Sequence, residues 1–64
     1  MKMKRIKAGH YATSDGSHYI AREENNRPAY WMAGEVIEGQ AHHLEDFSTY
    51  KEARNWITYL KEGK

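Results

Sequence analysis

Thr49-Tyr50-Lys51-Glu52-Ala53-Arg54-Asn55-Trp56-Ile57-Thr58-Tyr59-Leu60-Lys61-Glu62-Gly63 reads as a single amphipathic helix. Tyr50, Ala53, Trp56, Ile57 and Leu60 recur at the helical period and fall on one face, while Lys51, Glu52, Arg54, Asn55 and Lys61 point elsewhere. Ser48 or Thr49 can cap the start. Thr49 followed by Glu52 fits a capping box, in which the carboxylate reaches back to the cap amide. Gly63 is a natural stop. A helix with one apolar stripe needs a layer to cover, and the residues before it supply a sheet.

Upstream, Thr13-Ser14-Asp15-Gly16-Ser17 punctuates two strand-like segments, Lys4 to Ala12 and His18 to Glu23. Asp15-Gly16 suits the centre of a type I′ turn, whose two central residues need positive φ. That centre sets a register: Tyr11 faces Ile20, Gly9 faces Arg22, Lys7 faces Glu24, Ala12 faces Tyr19 and His10 faces Ala21. Glu24-Asn25-Asn26-Arg27-Pro28 is a polar turn leading into a third strand, Ala29 to Ile37. Glu38-Gly39-Gln40 is a further turn, and Ala41 to Glu45 can form a short fourth strand. The expected fold is α+β: one domain over residues 1–64, with a three- or four-stranded antiparallel sheet followed by one C-terminal helix packed on one face. Alternation favours Ile6, Ala8, His10, Ala12, Tyr19 and Ala21 beneath the helix, where small residues would admit Trp56. Lys7, Tyr11, His18, Ile20 and Arg22 would then be displayed. The inverse arrangement, with Tyr11 and Ile20 in the core, is the alternative.

Composition narrows the function classes. A chain of 64 residues buries only roughly 60% of its unfolded surface, and an aromatic content of 12% is how it can still build a core. There is no cysteine, so neither a disulfide nor a thiolate ligand or nucleophile is available, and a cytoplasmic location is expected. No apolar run approaches the roughly 20 residues of a membrane span, and the start lacks a signal-peptide core, so no membrane partner is expected. The net charge is +1, lower than a dedicated nucleic-acid binder usually carries. Lys2, Lys4, Arg5 and Lys7 nevertheless cluster at the start, and Glu23, Glu24, Glu35, Glu38, Glu45 and Asp46 make the middle acidic. The basic cluster reads either as a solvated strand end or as a phosphate-contacting arm.

The titratable residues give no metal or cofactor pattern. His42 and His43 are adjacent, so on a strand they point to opposite faces, and His10 and His18 flank the hairpin without being opposed. Glu23-Glu24 ends a strand, and Glu45-Asp46 precedes the helix, where its dipole attracts carboxylates. Neither a glycine-rich phosphate loop nor a nucleophile elbow is present. No cofactor and no metal are expected.

Two segments carry resemblances. Gly16-Ser17-His18-Tyr19-Ile20 resembles the Gly-Ser-His segment of HicA-type toxins, small proteins of double-stranded-RNA-binding fold that cut mRNA. That likeness implies His18 as a catalytic residue, a strand histidine able to act as general base on a 2′-hydroxyl. Asp46-Phe47-Ser48-Thr49-Tyr50-Lys51-Glu52-Ala53-Arg54-Asn55-Trp56-Ile57 looks like the last strand and helix of the arm-site DNA-binding domain of tyrosine integrases, which is similar to the plant ethylene-response-factor domain. That second likeness implies a sheet face reading the major groove through Arg5, Lys7, Tyr11, Arg22 and Trp31, although Glu35 and Glu38 stand where a basic hairpin is expected. The same segment resembles small phage-encoded inhibitors, including some anti-CRISPR proteins, which set a compact sheet and one helix against a large host protein.

The functional expectation is a small non-enzymatic binding protein of phage or mobile-element accessory type that inhibits or modulates a macromolecular partner. A protein partner comes ahead of nucleic acid, because mixed charge with several tyrosines and tryptophans suits a protein interface. The expected binding residues are Lys4, Arg5, Lys7, Tyr11, His18, Arg22 and Trp31. The oligomeric state is open.

Overall fold

A computed structural model describes residues 2–25 and 27–63. Among the described residues, five strands, β1 (Met3–Lys7), β2 (His10–Thr13), β3 (His18–Glu23), β4 (Tyr30–Ile37) and β5 (Gln40–Phe47), precede one helix, α1 (Tyr50–Glu62). The strands form one antiparallel sheet in the order β1-β2-β3-β4-β5, each paired with its neighbours in sequence. The fold is therefore α+β with a C-terminal helix, as expected, but with five strands rather than three or four.

The extra strand comes from Ala8-Gly9. The segment expected to run straight from Lys4 to Ala12 folds back there, with Gly9 at φ 77°, a conformation that L side chains rarely adopt. Lys7 accordingly faces His10 rather than Glu24, across a bulge between Arg5 and Lys7. The β2–β3 register is as read from the sequence: His10, Tyr11 and Ala12 face Ala21, Ile20 and Tyr19. The turn that sets it is not type I′, because at its centre only Gly16 has positive φ, and the Gly16 N–H closes it onto the Thr13 carbonyl at 2.9 Å. The wider loop keeps the same centre, so the register survives. The pattern of a type I′ turn appears instead between β4 and β5, where Glu38 and Gly39 take φ 52° and 79° and Ile37 faces Gln40.

Ile20, Ala33, Ala53 and Ile57 are fully buried, and Met3, Tyr11, Trp31, Phe47, Tyr50 and Trp56 pack around them. The helix thus covers the face of Tyr11 and Ile20, not the face of His10, Ala12, Tyr19 and Ala21. The deciding contact is not Trp56 on small strand residues. Ala33 on the sheet and Ala53 on the helix are the small residues at the centre, and they let the layers close over Ile20 and Ile57. Trp56 flanks them, its ring 5.6 Å from that of Phe47. Leu60, expected on the buried stripe, is 45% exposed because it lies near the end of the helix.

Both caps form. Thr49 Oγ1 accepts the Glu52 N–H at 3.2 Å and donates to the Glu52 carboxylate at 3.3 Å, so the carboxylate meets the cap hydroxyl rather than the cap amide. Gly63, at φ 72°, donates its N–H to the Tyr59 carbonyl at 2.8 Å. No described helix is long and apolar enough to cross a membrane.

Candidate docking face

Alternation along each strand divides the sheet residues between two faces. Following the register across, Lys4, Ala12, Tyr19, Gly34 and His43 form one row on the face away from the helix, and His10, Ala21, Met32 and Asp46 form the next. Glu23 and Tyr30 extend this face at one end, Val36 and Ala41 at the other. Its middle sets Tyr19 among the small residues Ala12, Ala21 and Gly34, with Tyr30, Met32 and Val36 half-buried farther out. Charge sits at its margins: Lys4 and Lys7 on the β1 edge, Asp46 on the β5 edge and Glu23 at a strand end.

Gly34 shapes this face. A Cβ at that position would lie 2.8 Å from Tyr19 Cε1 and 2.1 Å from the His42 carbonyl oxygen, so the bare backbone is what lets the Tyr19 ring and β5 come close. A bulge in β5 opposite Ala33 and Gly34 brings the His42 carbonyl in. His43 Nε2 is 2.7 Å from Asp46 Oδ1. Burial raises the Tyr19 phenol above its ordinary pKa, and the Asp46 carboxylate adds to the rise.

The residues expected to bind are dispersed by this geometry. Tyr11 and Trp31 do not display their rings. They wedge beneath the start of the helix, with ring centres 4.6 Å and 5.5 Å from Tyr50 and 6.3 Å from one another. Arg22 is on the same side, its guanidinium carbon 6.0 Å from the Trp31 ring and Nη1 3.9 Å from Glu24 Oε1. His18 also lies on the helix side, opposite Glu35, with Nδ1 2.8 Å from Ser17 Oγ. Lys4 is on the open face, Arg5 opposes Tyr11 on the helix side, and Lys7, past the bulge, opposes His10 on the open face. Arg5 is thus separated from Lys4 and Lys7.

His18 belongs to a polar lock at the β2–β3 loop. Thr13, only 3% exposed, accepts the N–H groups of Ser17 and His18 at 3.1 Å each and donates to Asp15 Oδ1 at 2.7 Å. Lys61, in the last helical turn, reaches Asp15 Oδ2 at 2.6 Å and Ser17 Oγ at 3.0 Å. The Lys61 ammonium, with the Thr13 hydroxyl and Ser17, holds the Asp15 carboxyl well below the usual carboxylate range.

Comparisons with protein families, with curated proteins and with solved structures find no match. The open face was legible only in part. Tyr30 and Met32 could not be placed on it from the sequence because β4 carries large apolar or aromatic residues on both sides, so Tyr30-Trp31-Met32 gives no period-two signal to tell the faces apart.

Proposed function

We propose that the chain is a small non-enzymatic binding protein, of the accessory type that phages and mobile elements use to modulate a larger assembly, and that it docks a protein through the sheet face opposite its helix. The observation that carries this reading is the anatomy of that face: Tyr19 among small residues at the centre, half-buried Tyr30, Met32 and Val36 around them, and, among the described residues, charge at the rim. A solvated sheet face is usually polar along its strands. An apolar centre with a polar rim is the pattern of a protein interface, where aromatic side chains supply most of the energy.

Nucleic acid fits this face less well. It wants a clustered positive field, whereas Lys4 and Lys7 share the face with Glu23 and Asp46, and Arg5 is on the other side. The test is a photo-crosslinking amino acid placed at Tyr30, at Met32 and, as a control, at Lys51 on the outer helix surface. Covalent protein adducts are expected from the two sheet positions and not from Lys51. Adducts from neither sheet position would sink the reading. Tight, salt-sensitive binding to duplex DNA that disappears when Lys4, Arg5 and Lys7 are changed to Ser would replace it with a DNA-binding module.

A further inference from the structure

We infer that the open sheet face seats a second copy of this chain, giving a two-fold dimer with the two sheets face to face and the two helices outside. The inference rests on the reading of that face as a docking surface and names its occupant. Charge placement selects both the occupant and the symmetry. The positive groups of the face, Lys4 and Lys7, stand on β1, and Asp46 stands at the opposite edge on β5, with β3, which carries Glu23 at its end, midway. A two-fold axis running along β3 in the plane of the interface lays β1 of one copy over β5 of the other. Lys4 then lands beside His43 and Asp46 of the partner at both edges, and the same surface serves both subunits. The same axis brings the two Glu23 side chains together at the strand end, its one like-charge contact, whereas a two-fold axis across the strands would set β1 on β1 and β5 on β5 and oppose like charges at both edges.

The centre of the face fits the same axis. Tyr19 and Ala21, on β3, meet their own symmetry mates, while Ala12 on β2 meets Gly34 on β4. Small residues along the middle permit the spacing of about 10 Å that packed sheets adopt. Five strands about 4.8 Å apart make a face only roughly 20 Å across, which is smaller than a standard interface, so the association should be moderate, with a Kd of roughly micromolar order.

The experiment is sedimentation equilibrium on the full chain over a wide concentration range, with Lys4→Glu, Asp46→Lys and the pair combined. Both residues are exposed, and circular dichroism checks that each variant folds. The wild-type chain should be dimeric at high concentration. Each single reversal should weaken association by roughly tenfold or more, and the combined reversal should restore most of the loss, because like charges across an interface are strongly disfavoured. A wild-type chain that stays monomeric near 1 mM, or a combined variant as weak as the singles, overturns the proposed dimer. A monomeric chain whose Tyr30 and Met32 positions still crosslink to another protein would fail the dimer alone. A monomeric chain with no such adducts would fail the docking face as well.

Discussion

Lys61 Nζ lies 2.6 Å from Asp15 Oδ2, joining the last turn of the helix to the loop between the second and third strands. Lys61 is well placed electrostatically, since a cation near a helix C-terminus is favoured in its own right. Its partner is more than a surface ion, because the other oxygen of Asp15 accepts from Thr13 and Ser17 and thereby closes the loop.

This arrangement predicts an acid dependence. The Asp15 carboxyl is held below its ordinary value, first by Lys61 and then by Thr13 and Ser17. A carboxylate with a depressed folded pKa contributes stability that is fully present above the unfolded value, near 4, and is lost as pH falls from there through the folded value. Thermal melts between about pH 5 and pH 2 should therefore show Asp15→Asn losing less stability on acidification than the wild type, while starting lower at pH 5. Lys61→Met should also flatten the acid slope, but less, because Thr13 and Ser17 still hold the carboxylate. Identical acid slopes in all three proteins would mean that the lock does not form.

The core predicts an order of sensitivity. Ile57 is fully buried, and cutting it to Ala should cost about 2–5 kcal/mol. A chain of 64 residues has a total stability of roughly 3–10 kcal/mol, so Ile57→Ala should leave it close to unfolding at room temperature. Trp56 is larger but only half-buried, resting on Phe47. Trp56→Ala should cost roughly half of the 3–5 kcal/mol typical of a buried ring. Urea midpoints of the two variants decide the matter: a lower midpoint for Trp56→Ala than for Ile57→Ala would move the centre of the core toward the helix flank.

The helix, its caps, the β2–β3 register and the β3 and β4 strands could be read in advance because each rests on local signals. These are a 3.6-residue stripe ending at Gly63, a turn centred on Asp15-Gly16, and apolar runs bounded by polar turns. The Ala8-Gly9 reversal could not, since a lone glycine in a strand-like run is as compatible with a continuous strand as with a turn. The covered face was the other ambiguity. His10-Tyr11-Ala12 and Tyr19-Ile20-Ala21 interleave apolar residues on both sides, and what settles the choice is tertiary: Ala33 of the sheet and Ala53 of the helix share one buried cluster with Ile20 and Ile57. Tyr11 and Trp31 changed roles with that choice, from displayed anchors to the wall under the helix. The docking face passed to Tyr19, Tyr30 and Met32.

Gly34 offers the sharpest test of how that docking face is built. It lies within β4 and is not among the glycines of positive φ, so the loss expected on adding a side chain there is one of space. The added methyl carbon would start 2.1 Å from the His42 carbonyl oxygen and 2.8 Å from the Tyr19 ring. The ring can swing away, but the carbonyl belongs to the backbone of β5 and can retreat only by opening the β4–β5 ladder at the bulge. Overpacking usually costs about 1–3 kcal/mol, and a clash against backbone should reach or pass the upper end. Gly34→Ala should therefore lower the urea midpoint as much as Ile57→Ala does. Hydrogen exchange should show the loss concentrated in β5, with the β2–β3 amides still protected to the limit of global unfolding. A variant as stable as the wild type, with unchanged exchange in Gln40–Phe47, would show that β5 does not approach β4 this closely.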